Sequence, residues 1–248
     1  MYKLTILLIM VLAFARPVGA QNTIFLSHGK IEYERRINVF AQIGNDDDQW
    51  SEFRKKLSNH FKTSYFDLLF TRDKSLYRPG RESSDRDMFS FWQSPAQDNT
   101  IWSDLANDKA VSQKNVFEQT FLVQDSLRKI KWKITDETRN IAGFNCRRAN
   151  AIIMDTIYVV AFYTDEILTN GGPESFTGLP GMILGVSLPH QHISWFATKV
   201  EAIPITEAEV EPPVKGKKVN NTALLQAVKP SLKDWRKIGQ QYLEAIML

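Results

Sequence analysis

Gly171-Gly-Pro-Glu-Ser-Phe-Thr-Gly-Leu-Pro-Gly181 separates two apolar runs, Thr156–Thr164 and Met182–Leu188. Its four glycines and two prolines combine backbone angles that other residues avoid with residues of fixed φ, which is typical of a shaped turn and not of a flexible tether. The flanking runs are short and rich in β-branched and aromatic residues, a composition that favours strands. We therefore predict that this segment, called the corner below, joins two neighbouring strands of a sheet.

Individual residues of the corner carry their own predictions. Gly178 and Gly181 are expected to take backbone angles that a Cβ forbids. Phe176 and Leu179 are apolar and are expected to press onto the sheet and plug one of its ends. The residues to which we assign this structural role are Gly172, Pro173, Phe176, Gly178, Leu179, Pro180 and Gly181.

The rest of the chain also favours strands. Apolar runs recur about every ten residues with turn-rich links, which indicates an antiparallel meander and not alternating strand–helix units. The predicted strands are Lys30–Asn38, Thr63–Thr71, Ser75–Tyr77, Phe117–Gln124, Leu127–Ile134, Asn140–Ala149, Thr156–Thr164, Met182–Leu188 and His192–Ile203, with turns at Asp125-Ser126 and Thr135–Thr138. The fold class that follows is mainly β (α+β), with a strongly curved antiparallel sheet partly covered by two helices.

The two helices are predicted from apolar stripes at helical spacing. In Asp46–Phe61 the stripe includes Trp50, Phe53 and Leu57, and Ser231–Leu248 carries a second stripe. Residues 79–99 are expected to be an irregular connection, and residues 207–230, which are rich in Pro, Lys and Glu, a linker. Residues 21–206 then form one β domain, and the helix at 231–248 packs on it.

The first twenty residues are typical of a secretory signal. Lys3 precedes the apolar stretch Leu4–Ala15, and Val18-Gly-Ala20 is a small-residue cleavage site. We expect cleavage after Ala20 and an exported, periplasmic or secreted protein, which is not a lipoprotein because no cysteine follows the site. The 31 basic and 28 acidic residues leave no broad basic face for nucleic acid. No later run is long enough to cross a membrane, and the single cysteine, Cys146, excludes an internal disulfide.

Several motifs occur in an order that resembles a known family. They are Lys74-Ser-Leu-Tyr77, Trp132-Lys-Ile134, Ile141-Ala-Gly-Phe-Asn-Cys146, Ala161-Phe-Tyr-Thr164, Glu166-Ile167, Gly172-Pro173 and Phe176-Thr-Gly-Leu-Pro-Gly-Met-Ile-Leu184. Together they resemble the GLPGLI family, exported proteins of Bacteroidetes-type bacteria, although Met182, Gly185 and Phe162 depart from its usual residues. The resemblance implies a curved antiparallel sheet similar to that of periplasmic lipoprotein carriers. The role of the family is undefined, so no catalytic residue can be transferred.

Aromatic side chains are spread over consecutive predicted strands. On a curved sheet, alternating positions face the concave side, where they form either a hydrophobic groove or a packed core. The candidate ligand-binding residues are Tyr65, Phe70, Trp132, Phe144, Tyr163, Trp195 and Arg148, the last as a partner for an anionic head group. The function that this pattern favours is a non-catalytic binding or carrier protein for an apolar or amphipathic ligand or an envelope protein segment.

Two alternatives stay open. A surface interaction module of an envelope complex would use an exposed patch around Phe89-Ser-Phe-Trp92. A metal-handling protein would use His190 and His192, which share one face if their segment is extended, but a third ligand is not evident in the sequence. No catalytic or nucleotide-binding signature occurs, so we expect neither an enzyme nor a cofactor.

Overall fold

Twelve strands form one sheet in the part of the chain that the structure describes. The structure is a computed structural model, and it describes residues 25–43, 52–53, 55–56, 59–83 and 96–248. The strands are β1 (Gly29–Asn38), β2 (Phe61–Phe70), β3 (Lys74–Pro79), β4 (Thr100–Asp104), β5 (Lys109–Val116), β6 (Gln119–Asp125), β7 (Lys133–Ile141), β8 (Phe144–Ile153), β9 (Ile157–Thr164), β10 (Met182–Leu188), β11 (Ile193–Glu201) and β12 (Lys217–Val219). The helices are α1 (Val39–Ile43), α2 (Asn221–Leu232) and α3 (Arg236–Met247), with 3-10 turns at Glu207–Glu209 and Lys233–Trp235.

The strand order is β12-β6-β5-β4-β3-β2-β1-β11-β10-β9-β8-β7. Neighbouring strands are antiparallel, except that β12 runs parallel to β6. The corner lies in the connection from β9 to β10, and these two strands pair with each other. The predicted fold class is therefore confirmed: a mainly β protein with a large, open, curved sheet and a few helices.

The main core lies on one face of this sheet. On β1 the alternate residues Ile31, Tyr33, Arg35 and Ile37 are buried, which is the period of two expected of a strand with one covered face. Most of this inner face is apolar, and it continues through β2 and β8–β11. A second apolar cluster joins α2 and α3 to β5 and β6, so the helical C-terminal segment covers the inner face at that end of the sheet.

The structure differs from the sequence prediction around β4 to β7. β4 and β5 were not predicted. In the case of β5, Lys109–Val116 is mostly polar and lacks the apolar alternation of a half-buried strand. Leu127–Ile134 is not a strand, and Asp125-Ser126 is not a turn between two strands, since the chain stays irregular until β7 begins. Thr135–Thr138 is not a turn either, but an irregularity within β7, whose pairing with β8 slips between Ile134 and Thr138.

The prediction of a linker at residues 207–230 was also wrong. α2 begins in that range, with the Asn220 side chain accepting a hydrogen bond from the backbone nitrogen of Ala223 at 2.8 Å as an N-cap. Leu224 and Val228 form its buried stripe, and the helix ends at Leu232, so the single helix predicted at 231–248 is α3 preceded by the end of α2.

Other predicted segments fall largely outside the described residues. The predicted helix at 46–61 is described only at residues 52–53, 55–56 and 59–61; the first two pairs are helical, whereas Phe61 already belongs to β2. Most of the irregular connection at 79–99 and the whole of the signal at 1–20 also lie outside. Among the described residues, no helix combines the length and apolar character that crossing a membrane requires.

Candidate functional site

The corner lies against the inner face of the sheet. Phe176 and Leu179 are fully buried, and the Phe176 ring lies 6.1 Å from that of Trp195 on β11. The indole nitrogen of Trp132 donates a hydrogen bond to the backbone oxygen of Thr177 at 2.9 Å, which ties the corner to the segment before β7. These contacts confirm that the corner is a packed element of the core.

Two glycines give the corner its shape, as predicted. Gly178 has φ of 89° and Gly181 has φ of 139°, both in the region that favours glycine. At Gly181 a Cβ would also lie only 2.1 Å from the backbone oxygen of Thr164, the last residue of β9. Gly181 is therefore the point at which the corner returns to the sheet.

The corner also buries a carboxylate, which the sequence did not reveal. Glu174 has φ of 50°, rare for a residue with a side chain, and only 2 % of its surface is exposed. Its Oε2 accepts a hydrogen bond from the Asn99 side chain at 3.2 Å. Burial raises the pKa of Glu174, although Arg35 and Lys114 act in the opposite direction. Backbone strain combined with a buried charge is typical of functional sites.

Arg35 on β1 is the buried cation with the larger electrostatic effect on this carboxylate. Its Nη1 donates to the backbone oxygen of Ala96 at 3.0 Å, while its Nε and Nη2 have no hydrogen-bond partner among the described residues. Arg35 and Glu174 attract each other, yet no ion pair within 4.0 Å joins them. The Tyr77 hydroxyl and the Trp195 indole lie in the same buried region and interact with Glu174. We call these five residues, Arg35, Tyr77, Asn99, Glu174 and Trp195, the buried polar cluster.

A pocket of about 650 Å³ opens beside this cluster. It lies between the inner face of β4–β6 on one side and α2 and α3 on the other, and Ser175 and Thr177 of the corner form part of its wall. Its apolar lining includes Ile101, Val123, Leu127, Leu225, Leu243 and Met247. A volume of this size suits a small organic ligand.

Two cations line the pocket where α3 ends. Lys114 on β5 is only 4 % exposed and donates from Nζ to the backbone oxygen of Ile246 at 2.8 Å. Arg128 donates from Nε to the Ser175 hydroxyl at 2.9 Å and from Nη2 to the backbone oxygen of Met247. Both cations thus satisfy carbonyl groups that the last turn of a helix leaves unpaired.

Burial favours the neutral form of both side chains, because a charge removed from water is less stable. Burial lowers the pKa of Lys114 to about 8, with Glu174 partly offsetting the effect. Burial also lowers the pKa of Arg128. Neither cation has a carboxylate within 4.0 Å in the described chain.

The seven ligand-binding residues predicted from the sequence do not form this site. Phe70, Tyr163 and Trp195 are buried in the main core, and Trp132 and Phe144 pack partly buried against it. Although the structure describes all seven, none lines the pocket, and the inward-facing aromatics belong to a packed core, one of the two alternatives that the sequence left open.

Tyr65 and Arg148 lie apart from that core. Tyr65 has the Arg81 guanidinium over its ring, and Arg148 forms an ion pair with Glu137 at 2.6 Å and a hydrogen bond to Asn150. Arg148 is thus engaged in a surface ion pair of β7 and β8.

The metal-site prediction rested on a wrong premise. His190 and His192 lie in the turn between β10 and β11, and His192 has φ of 56°, so they are not alternate residues of one strand. Among the described residues, no three potential metal-ligating side chains cluster together. The Phe89–Trp92 patch of the interaction-module hypothesis lies outside the described residues. Cys146 is buried, and burial raises the pKa of its thiol to about 12, which is unfavourable for a nucleophile.

Comparisons with known proteins connect the corner to a family model. The model, described as a protein of unknown function (Porph_ging), matches residues 151–185, from β8 to β10 with the corner included. That family is associated with Bacteroidetes, as the sequence resemblance predicted, while the name GLPGLI stays a prediction. No curated protein matches the chain.

Comparison with solved structures shows which known proteins have a fold similar to that of this chain. Two structures of PNGF-II, in C2 and P21 space groups, have TM-scores of 0.52 and 0.51 with 15% and 16% identity. Each comparison covers 85% of this chain but only 33% or 34% of the other, so the chain spans about a third of PNGF-II. An uncharacterized conserved protein from Thermus thermophilus is 6% identical with a TM-score of 0.37, over 77% of this chain and 90% of that one. The sheet described above is therefore similar to part of PNGF-II in its fold.

Proposed function

We propose that this protein binds a small amphipathic ligand in the pocket between β4–β6 and α2–α3 and holds it without reacting with it. The observation that carries the proposal is the pocket itself, whose lining combines aliphatic side chains with the buried Lys114 and the partly buried Arg128. Burial of an alkyl chain there contributes about 25 cal/mol for each Å² of apolar surface removed from water, before the costs of binding.

The chemistry of the pocket lining supports binding without catalysis. In the described chain, no hydrogen bond joins a pocket hydroxyl to a histidine or a carboxylate, which a nucleophile would need as its base. The Ser175 hydroxyl accepts from Arg128, and the Asp125 carboxylate accepts two hydrogen bonds from Asn221. These two polar groups of the lining therefore already have structural partners.

Export is part of the proposal. The order of Lys3, the apolar stretch and the small-residue site ending at Ala20 supports a periplasmic or secreted carrier. Sequencing the amino terminus of the mature protein tests this part, with Gln21 expected as the first residue.

The binding proposal is tested by purification under mild conditions. Native mass spectrometry and solvent extraction are expected to find a bound amphipath in the wild-type protein. Ser112 lines the pocket, and Ser112→Trp is expected to fill it, so that the additional mass of the ligand is no longer detected. Gln113→Trp, on the opposite face of β5, is the matched control and is expected to retain the ligand. A folded Ser112→Trp variant that still carries the same ligand would contradict the pocket as its site.

A further inference from the structure

Buried cations and buried carboxylates do not form ion pairs with one another in the described part of this protein. Its buried charged side chains are Arg35, Lys114, Asp104 and Glu174. The Asp104 carboxylate accepts from the backbone and side-chain nitrogens of Asn107 in the turn between β4 and β5, and it forms no ion pair with Arg35 or Lys114. Glu174 alone thus faces two buried cations.

Lys114 is the buried cation that reaches the pocket. It lies on the same face of β5 as Ala110 and Ser112, two further residues of the pocket wall. Its contact with the oxygen of Ile246 uses one of three donors of the ammonium group. Arg128 stands beside it in the same wall and adds a second positive charge, which lowers the pKa of Lys114 further.

Other charged residues of the lining are already engaged. Asp125 is held by Asn221, Lys129 forms an ion pair with Asp108 at 2.6 Å, and Glu244 accepts from Gln191 and Gln240. The opposite charges of Asp155 and Lys229, which also line the pocket, offset each other in the net charge. The lining as a whole thus carries four cations and three carboxylates, and what singles out Lys114 and Arg128 is that they are buried or partly buried and that neither has a carboxylate within 4.0 Å in the described chain.

A buried cation without a counter-ion is costly, and proteins normally pair such a charge. An anionic group in the pocket would supply the missing partner, and anionic oxygens form the stronger class of hydrogen bond with ammonium and guanidinium groups. We infer that the ligand carries an acidic head group, a carboxylate or a phosphate, bound at Lys114 and Arg128, with its apolar chain along the aliphatic wall. This inference rests on the proposed function and specifies the class of its ligand.

A head-group series tests the inference. Isothermal titration calorimetry compares dodecanoate, dodecyl phosphate, dodecanol and dodecyltrimethylammonium, each at a concentration at which it is monomeric in solution. We expect the wild-type protein to bind at least one of the two acids roughly tenfold or more tightly than dodecanol, the range that a hydrogen bond to a charged group supplies. The acid that binds more tightly, dodecanoate or dodecyl phosphate, identifies the head group as a carboxylate or a phosphate.

Variants of Lys114 test whether the acidic head group of the ligand binds at this residue. Lys114→Gln removes the charge but keeps a donor for the oxygen of Ile246, and we expect the acids to lose their advantage over dodecanol. Lys109→Gln, an exposed position of the same strand, is the control and is expected to bind as wild type. Lys114→Arg keeps the charge and is expected to retain a preference for acids even if Lys114→Gln does not fold.

The outcomes separate the inference from the proposed function. Equal affinity for dodecanol and the acids in the wild-type protein overturns the acidic head group but leaves an amphipath-binding pocket. Binding of none of the four probes counts against both. A folded Lys114→Gln variant that keeps the full preference for acids, or a Lys114→Arg variant that loses it, overturns the assignment to Lys114.

Discussion

Lys114 on β5 donates a hydrogen bond to the backbone oxygen of Ile246 at 2.8 Å, across 132 positions of the sequence. This contact holds the end of α3 against the inner face of the sheet, where Leu248 joins the main core. The same ammonium group lines the pocket. One buried lysine therefore links the packing of the C-terminal helix to the candidate binding site.

The titration of Lys114 predicts a pH dependence of stability. Burial lowers its pKa from 10.5 to about 8 in the folded protein, while the unfolded chain keeps the higher value. The folded state thus loses this proton first, and the free energy of unfolding of the wild type, relative to Lys114→Gln, should rise as pH increases through this window. Urea unfolding from about pH 7 to about pH 10 measures the difference.

The comparison in that experiment is between variants because other groups also titrate. Glu174 and Arg128 act directly on Lys114, and the charged residues that share the pocket wall are Asp125, Lys129, Asp155, Lys229 and Glu244. Lys109→Gln should follow the wild type across the range. A wild-type curve that stays parallel to that of Lys114→Gln would show that the lysine is not held in a desolvated site.

Glu174 predicts the opposite trend at lower pH. Burial raises its pKa above 4.5, so the folded protein retains the proton to higher pH than the unfolded chain. Its contribution to stability is present below about pH 4.5 and is lost as pH rises through the folded pKa. Glu174→Gln keeps an oxygen for Asn99 but cannot ionise, so this decline should be absent from its unfolding curves.

An exposed carboxylate provides the control for Glu174. Glu118→Gln, in the turn between β5 and β6, removes one negative charge without a burial change and should leave the decline in place. If Glu174→Gln loses stability over the same pH range as the wild type, the carboxylate is not the titrating group.

The two positive-φ glycines of the corner are expected to differ in sensitivity. Gly178→Ala places its Cβ no closer than 3.8 Å to the Trp132 indole, so only the backbone angle opposes it, at about 1–2 kcal/mol. Gly181→Ala adds a clash with Thr164 and should cost more than Gly178→Ala. Thermal and urea unfolding of both variants measure the difference, and equal stabilities would contradict a rigid return at Gly181.

Arg148 is predicted to be dispensable for binding. Its ion pair with Glu137 is at the surface, where such pairs contribute about 0–1 kcal/mol. Arg148→Ala should therefore change the free energy of unfolding by less than about 1 kcal/mol and leave the affinity for dodecanoate unchanged. A large loss of affinity would restore the role that the sequence suggested for this residue.

The fold was predictable from the sequence where the preferences of the residues for turns and strands agree with the tertiary structure. The corner combines glycine, proline and apolar residues at positions that require them, and β10 has the bounds that its apolar run indicates. β5 was missed because the residues on it that face the pocket, Ala110, Ser112 and Lys114, are small or polar and give no apolar alternation. A strand that lines a partly polar site lacks the alternation by which strands are recognised.

The candidate site was missed for a related reason. Glu174 stands within the corner, whose composition indicates a turn, and turns are usually exposed. Its burial depends on Asn99 and Arg35, which are distant in sequence and come close only through the pairing of β1 to β4. The prominent aromatics, by contrast, were recognised correctly as inward-facing in the case of Phe70 and Trp195, but they fill the core.

A crystal structure of the protein with dodecanoate bound is the most direct test of the pocket. We expect the alkyl chain between β4–β6 and α2–α3, with the carboxylate within hydrogen-bonding distance of Lys114 or Arg128. A chain bound on the outer face, for example beside the Phe162 and Phe196 rings that lie 6.4 Å apart there, with the pocket unchanged, would contradict the proposed function.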